Sequence, residues 1–186
     1  PDPVLGHAAN FLWMLLGEEP DMDDADTLDT TFVLYADHTM NASTFTARII
    51  ASTLSDMFSA ITGAIGALKG PLHGGANEEA MKMAEEIGDP ALAEAYVTDR
   101  LEHHEKVMGF GHAVYRTMDP RATVLKQMAR DAGERHDDPV WAAIFETLQT
   151  TVYEQKGLWP NVDLYAAAVY HVLGIPTDLM TPIFAL

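Results

Sequence analysis

The sequence predicts an all-α fold, and three observations support this prediction. Apolar residues recur with the period of a helix in one segment after another. Residues that start helices stand before these segments, and glycines that end helices follow them. No segment alternates apolar and polar residues over the length of a strand, and neither an internal repeat nor a low-complexity linker is visible. We therefore expect helices that are joined by turns.

Start and stop signals divide the chain into its predicted helices. The start signals are polar side chains that can accept a hydrogen bond from free backbone N–H groups, in chain order Asp2, Asn41 or Ser43, Ser55, Asp89 and Asp119. The stop signals are glycines, in chain order Gly17, Gly70, Gly88, Gly157 and Gly174. The helices expected from these signals lie near residues 3–16, 27–37, 41–54, 55–68, 76–87, 90–104, 119–132, 138–155, 162–173 and 176–186.

Two of these helices carry a marked apolar stripe. The stripe of the helix near 138–155 consists of Trp141, Ile144, Phe145, Leu148 and Val152, and that of the helix near 55–68 consists of Met57, Phe58, Ile61, Ala64, Ile65 and Leu68. Gly63 and Gly66 are unfavourable inside the second of these helices, which indicates that another helix approaches closely. That helix can belong to a second subunit or to the same chain, and the sequence leaves both open.

The charge balance is strongly acidic. The 28 Asp and Glu residues against 11 Lys and Arg residues give a net charge of −17. Nucleic acid and anionic membranes bind basic surfaces, so the balance argues against both as partners. An anionic ligand would need a local positive pocket. The same balance predicts a surface adapted to high salt, with a stability that falls when salt is removed.

Several classes of protein are excluded by simple counts. The chain has no cysteine, so it has neither disulfides nor thiol chemistry. No apolar run reaches the length of a membrane span and no signal peptide is visible, so we expect a cytoplasmic protein. Its 186 residues can form one sizeable core or two small domains. Because it begins with Pro1 and stops inside an apolar run, we expect a fragment of a longer protein.

One histidine stands between two predicted helices, in the run Gly70-Pro71-Leu72-His73-Gly74-Gly75-Ala76-Asn77-Glu78. Glycine lets the backbone approach a ligand closely, and Pro71 cannot continue the preceding helix. At a helix start, free N–H groups and the helix dipole favour negative charge. A neutral His73 can therefore donate a hydrogen bond to an oxygen that becomes an oxyanion. The alternative is an ordinary turn with an incidental histidine.

A second histidine, His112, also follows glycine-rich backbone, and Arg116 and Arg121 lie close to it in the sequence. Such clustering of cations in an acidic chain favours an anion site. Asp119 caps the following helix, which puts Arg121 in its first turn, where a cation opposes the helix dipole. We therefore expect a bound anion or a carboxylate partner beside Arg121. The alternative is a surface arginine paired with a nearby aspartate.

Three further polar groups have both structural and functional interpretations. His38 and Asn41 precede a predicted helix start, and Asp163 lies at the start of another helix, so each can be a simple turn or capping residue. His103 and His104 are adjacent, and adjacent helical residues point apart. No third ligand stands at a useful spacing, so we expect no metal site.

Taken together, these runs resemble the active-site signatures of citrate synthase. The signatures are the run around His73, the run Met108-Gly109-Phe110-Gly111-His112-Ala113-Val114-Tyr115-Arg116-Thr117-Met118-Asp119-Pro120-Arg121 and the run Trp159-Pro160-Asn161-Val162-Asp163. The run Ala36-Asp37-His38-Thr39-Met40-Asn41-Ala42-Ser43-Thr44 is similar to the oxaloacetate segment of that family. The order of these runs along the chain matches that of the family, and the resemblance extends over nearly the whole sequence. The residues are most similar to those of archaeal or bacterial members.

The resemblance implies a multi-helical enzyme with a large domain and an inserted small domain, working as a homodimer. Residues 1–75 and 169–186 would belong to the large domain and residues 76–168 to the small one. Closure of the two domains would complete the site and exclude water.

The resemblance also implies catalytic roles, and the chemistry of each side chain suits its role. Asp163 is the base that removes a proton from the methyl group of acetyl-CoA, and His73 donates a hydrogen bond to the enolate oxygen. The helix N-terminus would keep His73 neutral. His112 polarises the ketone of oxaloacetate and protonates the alkoxide. Hydrolysis of the resulting thioester gives citrate and coenzyme A.

Binding roles follow in the same way. The residues implied to bind oxaloacetate are His38, Asn41 and Arg121, and Arg121 can bind a carboxylate in bidentate fashion. The residues implied to bind coenzyme A are Met108, Gly109, Phe110, Gly111 and Arg116. No cofactor is implied, because the coenzyme A thioester is a substrate.

Alternatives remain open at this level. In the family, further arginines that bind oxaloacetate follow the point where this sequence stops, so we expect the 186-residue chain alone to be inactive. The runs do not exclude 2-methylcitrate synthase, which uses propionyl-CoA, because one methylene changes binding by only about 1–3 kcal/mol. A non-catalytic helical interaction domain is an alternative of another class, and it predicts that Asp163→Asn leaves function unchanged.

Overall fold

The computed structural model describes residues 1–70, 73–112 and 115–185, and within these ranges it consists of helices and turns. The helices are α1 (His7–Leu16), α2 (Met22–Ala36), α3 (Ala42–Ser52), α4 (Met57–Leu68), α5 (Ala76–Ile87), α6 (Pro90–Glu102), α7 (Pro120–Arg135), α8 (Val140–Lys156), α9 (Val162–Val172) and α10 (Met180–Ile183), with a short 3-10 helix (Thr177–Leu179) before α10. The all-α prediction is confirmed. The predicted corner at Pro71 lies outside the described residues.

Most helix starts agree with the capping signals. Asn41, Asp89 and Asp119 each accept a hydrogen bond from a backbone N–H in the first turn of α3, α6 and α7. The helix predicted from residue 55 is capped instead by Asp56, which accepts from the N–H of Ser59. The sequence therefore locates these starts to within a residue or two.

The first two helices begin elsewhere than predicted. Asp2 does not cap α1, because its carboxylate accepts from the N–H of Val4 and closes a separate turn. The side chain of Asn10 holds that turn through the N–H and carbonyl of Asp2 and the carbonyl of Leu5, so the helix starts only at His7. α2 begins five residues earlier than predicted, at Met22, because Asp21 provides the cap.

α9 is the central helix of the core. Nine of its eleven residues are buried, and it packs against α5, α7 and α8. A helix that is apolar nearly all round belongs in the interior. The predicted stripe of α8 is also confirmed, because Ile144, Phe145 and Leu148 are fully buried. The core thus fixes the start of α9, which carries Asp163.

Most of the predicted apolar stripe of α4 is exposed, whereas Leu68 at its end is buried. The exposed fractions are 77% for Met57, 85% for Phe58 and 52% for Ile61. α4 packs against α3, and a Cβ atom at Gly63 would lie 2.4 Å from Cδ1 of Ile50 on α3. The close approach expected at Gly63 is therefore made within the chain.

None of the helices in the described part of the chain is long and apolar enough to cross a membrane.

Candidate active site

One cavity of about 710 Å³ brings together side chains that are far apart in the sequence. It is lined by the predicted site residues His38, His73, His112, Arg121, Asp163, Met108, Gly109, Phe110 and Gly111. These residues come from the turns before α3, α5 and α7 and from the first turns of α7 and α9. The three predicted catalytic residues therefore face a common space.

His73 is held by the first turn of α3. The backbone N–H of Ser43 donates to Nε2 of His73 at 3.3 Å, and the Ser43 hydroxyl oxygen lies 3.0 Å from the same nitrogen. Because a backbone N–H can only donate, Nε2 accepts and a neutral His73 carries its proton on Nδ1. The pKa of His73 is lowered by burial. Its neutral form is thus favoured by desolvation, whereas the sequence predicted a contribution of the helix N-terminus.

His112 is oriented from its own loop. The backbone N–H of Tyr115 donates to Nδ1 of His112 at 3.1 Å, and the two rings lie 4.5 Å apart. The same reasoning puts the proton of a neutral His112 on Nε2. His112 thereby becomes a second potential donor in the cavity.

The loop before His112 is joined to the loop before Asp163. The N–H of Gly111 donates to the carbonyl of Trp159, and the N–H of Asn161 donates to the carbonyl of Gly109, both at 2.9 Å. Gly109 has a φ of +83° and packs directly against Leu164 of α9. A residue with a side chain would meet both a strained backbone and a steric clash at this position.

Asp163 lies in the first turn of α9. Its backbone N–H donates to Oδ1 of Asn161, the capping residue, at 3.0 Å. Burial raises the pKa of the Asp163 carboxyl to about 7, while the charge of Arg121 works in the opposite direction. A carboxyl group with a pKa near neutrality can both take and release a proton under physiological conditions.

Arg121 is buried, and it is paired with Asp119. Its Nη2 donates to Oδ2 of Asp119 at 2.7 Å, and its Nη1 donates to Nδ1 of His38 at 3.0 Å. The carboxylate partner that the sequence predicts is therefore the capping residue of Arg121's own helix. The edge of the guanidinium formed by Nε and Nη2 faces this carboxylate, and Nη1 is engaged by Asp37 and His38.

Two predicted site residues do not line the cavity. Asn41 caps α3 and accepts a hydrogen bond from the Ser43 hydroxyl at 2.7 Å, so it lies behind His73. Arg116 is exposed outside the cavity lining. No cluster of three potential metal ligands occurs in residues 1–70, 73–112 and 115–185. His104 lines the cavity with an exposed side chain.

The cavity is less acidic than the rest of the chain. Its lining contains Lys106, Arg121 and Lys156 against Glu105 and Asp163, whereas the whole chain has 11 basic and 28 acidic residues. This is the local positive pocket that an anionic ligand would need. Sequence reasoning missed Lys106 and Lys156 as cavity residues; the signal was their position just before two of the signature runs.

Comparison with known proteins decides the family. The whole chain, residues 1–186, matches the family described as citrate synthase, C-terminal domain. This chain belongs to the citrate synthase family. The resemblance seen in the signature runs is thereby confirmed.

Individual relatives are similar over all or nearly all of the chain. Citrate synthase 2 of Bacillus subtilis is 52% identical over 185 residues, which cover 100% of this chain and 50% of that protein. A 2-methylcitrate synthase of Shewanella oneidensis is 47% identical over 176 residues, which cover 95% of this chain and 47% of that protein. The chain spans about half the length of these two relatives.

A solved structure shows the same fold with ligands. The ternary complex of carboxymethyl coenzyme A and oxaloacetate with the citrate synthase of Thermoplasma acidophilum superposes with a TM-score of 0.90 at 38% identity. The match covers 100% of this chain and 50% of that one. The helical arrangement described above is therefore that of the citrate synthase family.

Proposed function

We propose that the protein containing this chain is a citrate synthase, which condenses acetyl-CoA with oxaloacetate and hydrolyses the citryl thioester to citrate and coenzyme A. The observation that carries this proposal is the convergence of His73, His112 and Asp163 on one cavity in a member of this family. No cofactor is required, because the thioester itself activates the methyl group. The reaction would make the protein an enzyme of the tricarboxylic acid cycle.

Asp163 is the proposed base. The methyl group of a thioester is a very weak acid, so the base must lie close to it and must not be fully neutralised by a cation. The pKa of about 7 that burial gives to Asp163 makes it a stronger base than an exposed carboxylate. Asp163 would take the proton while the electron pair moves onto the thioester oxygen.

The histidines supply hydrogen bonds to the oxygens on which charge develops. Nδ1–H of His73 would donate to the enolate oxygen, since Nε2 is engaged with Ser43. Nε2–H of His112 would polarise the ketone of oxaloacetate and then protonate the alkoxide, since Nδ1 accepts from Tyr115. In each neutral ring one nitrogen accepts a hydrogen bond from the protein, so the other nitrogen carries the proton and donates to the substrate.

Binding follows the charge distribution. His38 and Arg121 would hold oxaloacetate, and Asn41 would support that pocket through Ser43 and His73. The backbone of Met108, Gly109, Phe110 and Gly111 would contact coenzyme A, and Arg116 would meet its phosphates. Lys106 and Lys156 are further cations of the cavity lining that suit the phosphates of the same ligand.

A homodimer is the proposed assembly. α3 and α4 expose several large apolar side chains, namely Phe45, Ile49, Met57, Phe58, Ile61 and Ile65. Exposed apolar surface of this kind is typical of an interface between proteins. Apart from the backbone of α4 and the two neighbours of Gly66, no atom of the described residues lies within 4 Å of where a Cβ atom on Gly66 would stand, which leaves room for a helix of a second subunit.

The division into a large domain (residues 1–75 and 169–186) and a small domain (residues 76–168) is proposed with it. His38, His73 and Phe184 then reach the cavity from the large domain, while His112 and Asp163 reach it from the small one. Closure would bring the two sets together and exclude water from the enolate.

The cellular setting is proposed from composition. A net charge of −17 in 186 residues suits a surface that is soluble at high salt, and we propose a cytoplasmic protein of a halophilic organism. Such a protein resists salting-out through its acidic side chains.

The second candidate activity is that of a 2-methylcitrate synthase acting on propionyl-CoA. The identity of 47% with the Shewanella protein favours it specifically. Parallel kcat/KM measurements with acetyl-CoA and propionyl-CoA decide between the two. A ratio above one for acetyl-CoA is expected, and the reverse ratio assigns the second activity.

The test of the enzyme itself is Asp163→Asn in the natural protein that contains this chain. Oxaloacetate-dependent release of coenzyme A should fall by about 1000-fold or more, while oxaloacetate binding and helicity are retained. Asp23→Asn is the matched control, because Asp23 occupies the equivalent first-turn position of α2 and also donates its N–H to the capping side chain. Unchanged release of coenzyme A in Asp163→Asn would remove Asp163 as the base, whereas no release from the unaltered protein would support a non-catalytic interaction domain.

A further inference from the structure

The guanidinium of Arg121 has two hydrogen-bonding edges, and each is occupied by the protein. One edge faces Asp119: Nε donates to Oδ1 at 3.0 Å and to Oδ2 at 3.2 Å, and Nη2 donates to Oδ2 at 2.7 Å. Asp119 is 1% exposed and Arg121 is 8% exposed. This is a bidentate arginine–carboxylate pair, whose two parallel hydrogen bonds fix the orientation of the guanidinium as well as neutralising its charge.

The second edge faces the segment before α3. Nη1 donates to the carbonyl oxygen of Asp37 at 2.8 Å and to Nδ1 of His38 at 3.0 Å. In the hydrogen bonds between described residues, one of the two N–H groups on Nη2 of Arg121 is not used. A ligand in the cavity therefore meets Arg121 through that one donor and its charge, and it meets the imidazole of His38 directly.

The contact with Arg121 determines the protonation of His38. A guanidinium has donors only and keeps its charge at any pH at which proteins fold. Nδ1 of His38 must therefore accept, and a neutral His38 carries its proton on Nε2. Protonation of both nitrogens would place an N–H against the N–H of Arg121.

We propose that Asp119 is a positioning residue that turns Arg121 so that it holds His38 as the neutral Nε2–H tautomer, and that His38 gives this N–H to an oxygen of oxaloacetate. The second half rests on the function proposed above, whereas the first half concerns the protein alone. Asp119 does not line the cavity, so its proposed effect on the ligand acts through Arg121 and His38.

The surroundings of His38 support a neutral ring. The cationic or cationisable groups that face it are Arg121, His112 and His73, whose ring centroid lies 6.4 Å away, and Asp119 is the acidic group that faces it. The pKa of His38 is lowered first by burial and then by the charge of Arg121. At neutral pH the ring thus donates one hydrogen bond without adding a second charge beside Arg121.

The chain contains a matched control for Asp119. Asp89 also precedes a proline at a helix start, and its carboxylate accepts from the N–H of Ala91 at 2.9 Å as that of Asp119 accepts from Arg121. Asp89 is exposed and has no ion pair among the described residues. Asp89→Asn and Asp119→Asn therefore make the same change to a helix cap, on α6 and α7 respectively. Only Asp119→Asn also removes the partner of an arginine.

The test uses histidine-labelled natural protein that contains this chain, with nitrogen NMR of the imidazole rings and His38→Gln to assign the signals. Unaltered protein should show His38 protonated on Nε2 and unprotonated on Nδ1 at neutral pH and above. In Asp119→Asn we expect a mixture of tautomers and an increase in KM for oxaloacetate of about 10-fold, with KM for acetyl-CoA unchanged. Asp89→Asn should change none of these quantities.

Arg121→Lys is a second variant, which keeps the positive charge and removes the planar guanidinium. In this variant, too, His38 should show a mixture of tautomers. A His38 that is protonated on Nδ1 in the unaltered protein overturns the proposal, and so does an unchanged tautomer in both variants. Since the NMR readout needs no turnover, it stands even if the natural protein lacks citrate synthase activity. If the unaltered protein has the Nε2–H tautomer and Asp119→Asn loses it, but KM for oxaloacetate stays unchanged, only the proposed contact between His38 and oxaloacetate is overturned.

Discussion

The side-chain nitrogen of Asn161 donates a hydrogen bond to the carbonyl oxygen of Gly111 at 3.1 Å. The carbonyl oxygen of the same side chain accepts from the N–H of Asp163 at 3.0 Å. Asn161 therefore connects the residue before His112 with the first turn of α9, in addition to the two backbone hydrogen bonds between these loops. Three hydrogen bonds consequently hold the residue before His112 against the segment that leads to Asp163.

This relationship predicts a specific effect of Asn161→Asp. Aspartate keeps the acceptor that caps α9 but replaces the donor to Gly111 by an oxygen that repels the carbonyl. We expect kcat to fall by about 10–100-fold with a small loss of stability, because His112 and Asp163 lose their fixed separation. Steady-state kinetics and thermal unfolding measure the two effects.

Asn161→Ala is the comparison for that variant, because it removes the cap as well as the donor. It should cost about 1 kcal/mol more in the free energy of unfolding than Asn161→Asp. An Asn161→Asp protein with unaltered kcat contradicts the coupling of the two loops.

Gly109 and Gly111 form a matched pair for a test of packing. Both have positive φ angles, +83° and +81°, but a Cβ atom at Gly109 would lie 2.7–3.1 Å from three atoms of Leu164, and one at Gly111 meets nothing within 4 Å. Gly111→Ala should therefore lower the free energy of unfolding by about 1–2 kcal/mol, which is the cost of the backbone conformation. Gly109→Ala should lower it by about 2–5 kcal/mol.

Chemical denaturation of the two variants gives these values. Equal losses at the two positions would show that the loop before His112 does not depend on its contact with α9.

The sequence predicted helix starts well where one capping residue sufficed. Asn41 and Asp119 act locally, within the turn that they cap, so their effect is visible in the order of residues alone. The start of α1 was missed because it depends on Asn10, whose side chain holds a turn that lies five to eight residues away. No periodic pattern records such a contact.

The site shows the same division between local and distant causes. Glycine beside His73 and His112 marked both histidines in the sequence, and both line the cavity. The orientation of Arg121 was not predictable in this way, because its contact with His38 joins residues 83 positions apart. The sequence predicted a bound anion or a carboxylate partner for Arg121, but only the structure shows that Asp119 is that partner.

The raised pKa of Asp163 predicts the pH dependence of activity. The carboxylate must be deprotonated to act as a base, so kcat should rise with pH through about pH 7, where burial places the pKa of this group. An exposed aspartate would give a plateau already above about pH 5. A pH profile of kcat measured under saturating substrates checks the position of the inflection.

The same shift predicts a gain in stability for Asp163→Asn. A folded-state pKa above that of the unfolded chain means that the stability contributed by this group is present at low pH and is lost as pH rises through about 7. Asp163→Asn should therefore raise the free energy of unfolding by roughly 2–4 kcal/mol at pH 8 and by less at pH 5. A variant that is less stable than the unaltered protein at pH 8 contradicts the burial of a charged carboxylate.

The excess of acidic residues predicts a dependence of stability on salt. With a net charge of −17, self-repulsion grows as screening is reduced, so the melting temperature should fall when the salt concentration is lowered. Thermal unfolding in a series of potassium chloride concentrations checks this. A melting temperature that is independent of salt would falsify the proposed adaptation.

The exposed apolar side chains of α4 predict that one charge can separate the proposed dimer. Phe58 is 85% exposed, and Phe58→Asp would place a carboxylate in the middle of an interface formed by α3 and α4 of two subunits. Leu92→Asp on α6 is the control, because Leu92 is also a large apolar residue, 57% exposed, and lies on another helix.

Sedimentation of the natural protein that contains this chain should show a dimer for the unaltered form and for Leu92→Asp, and a monomer for Phe58→Asp. Helicity should be the same in all three, since Phe58 contributes little to the core of its own chain. If Phe58→Asp remains a dimer, the interface lies elsewhere. If the unaltered protein is a monomer, the exposed apolar side chains of α4 do not form a dimer interface.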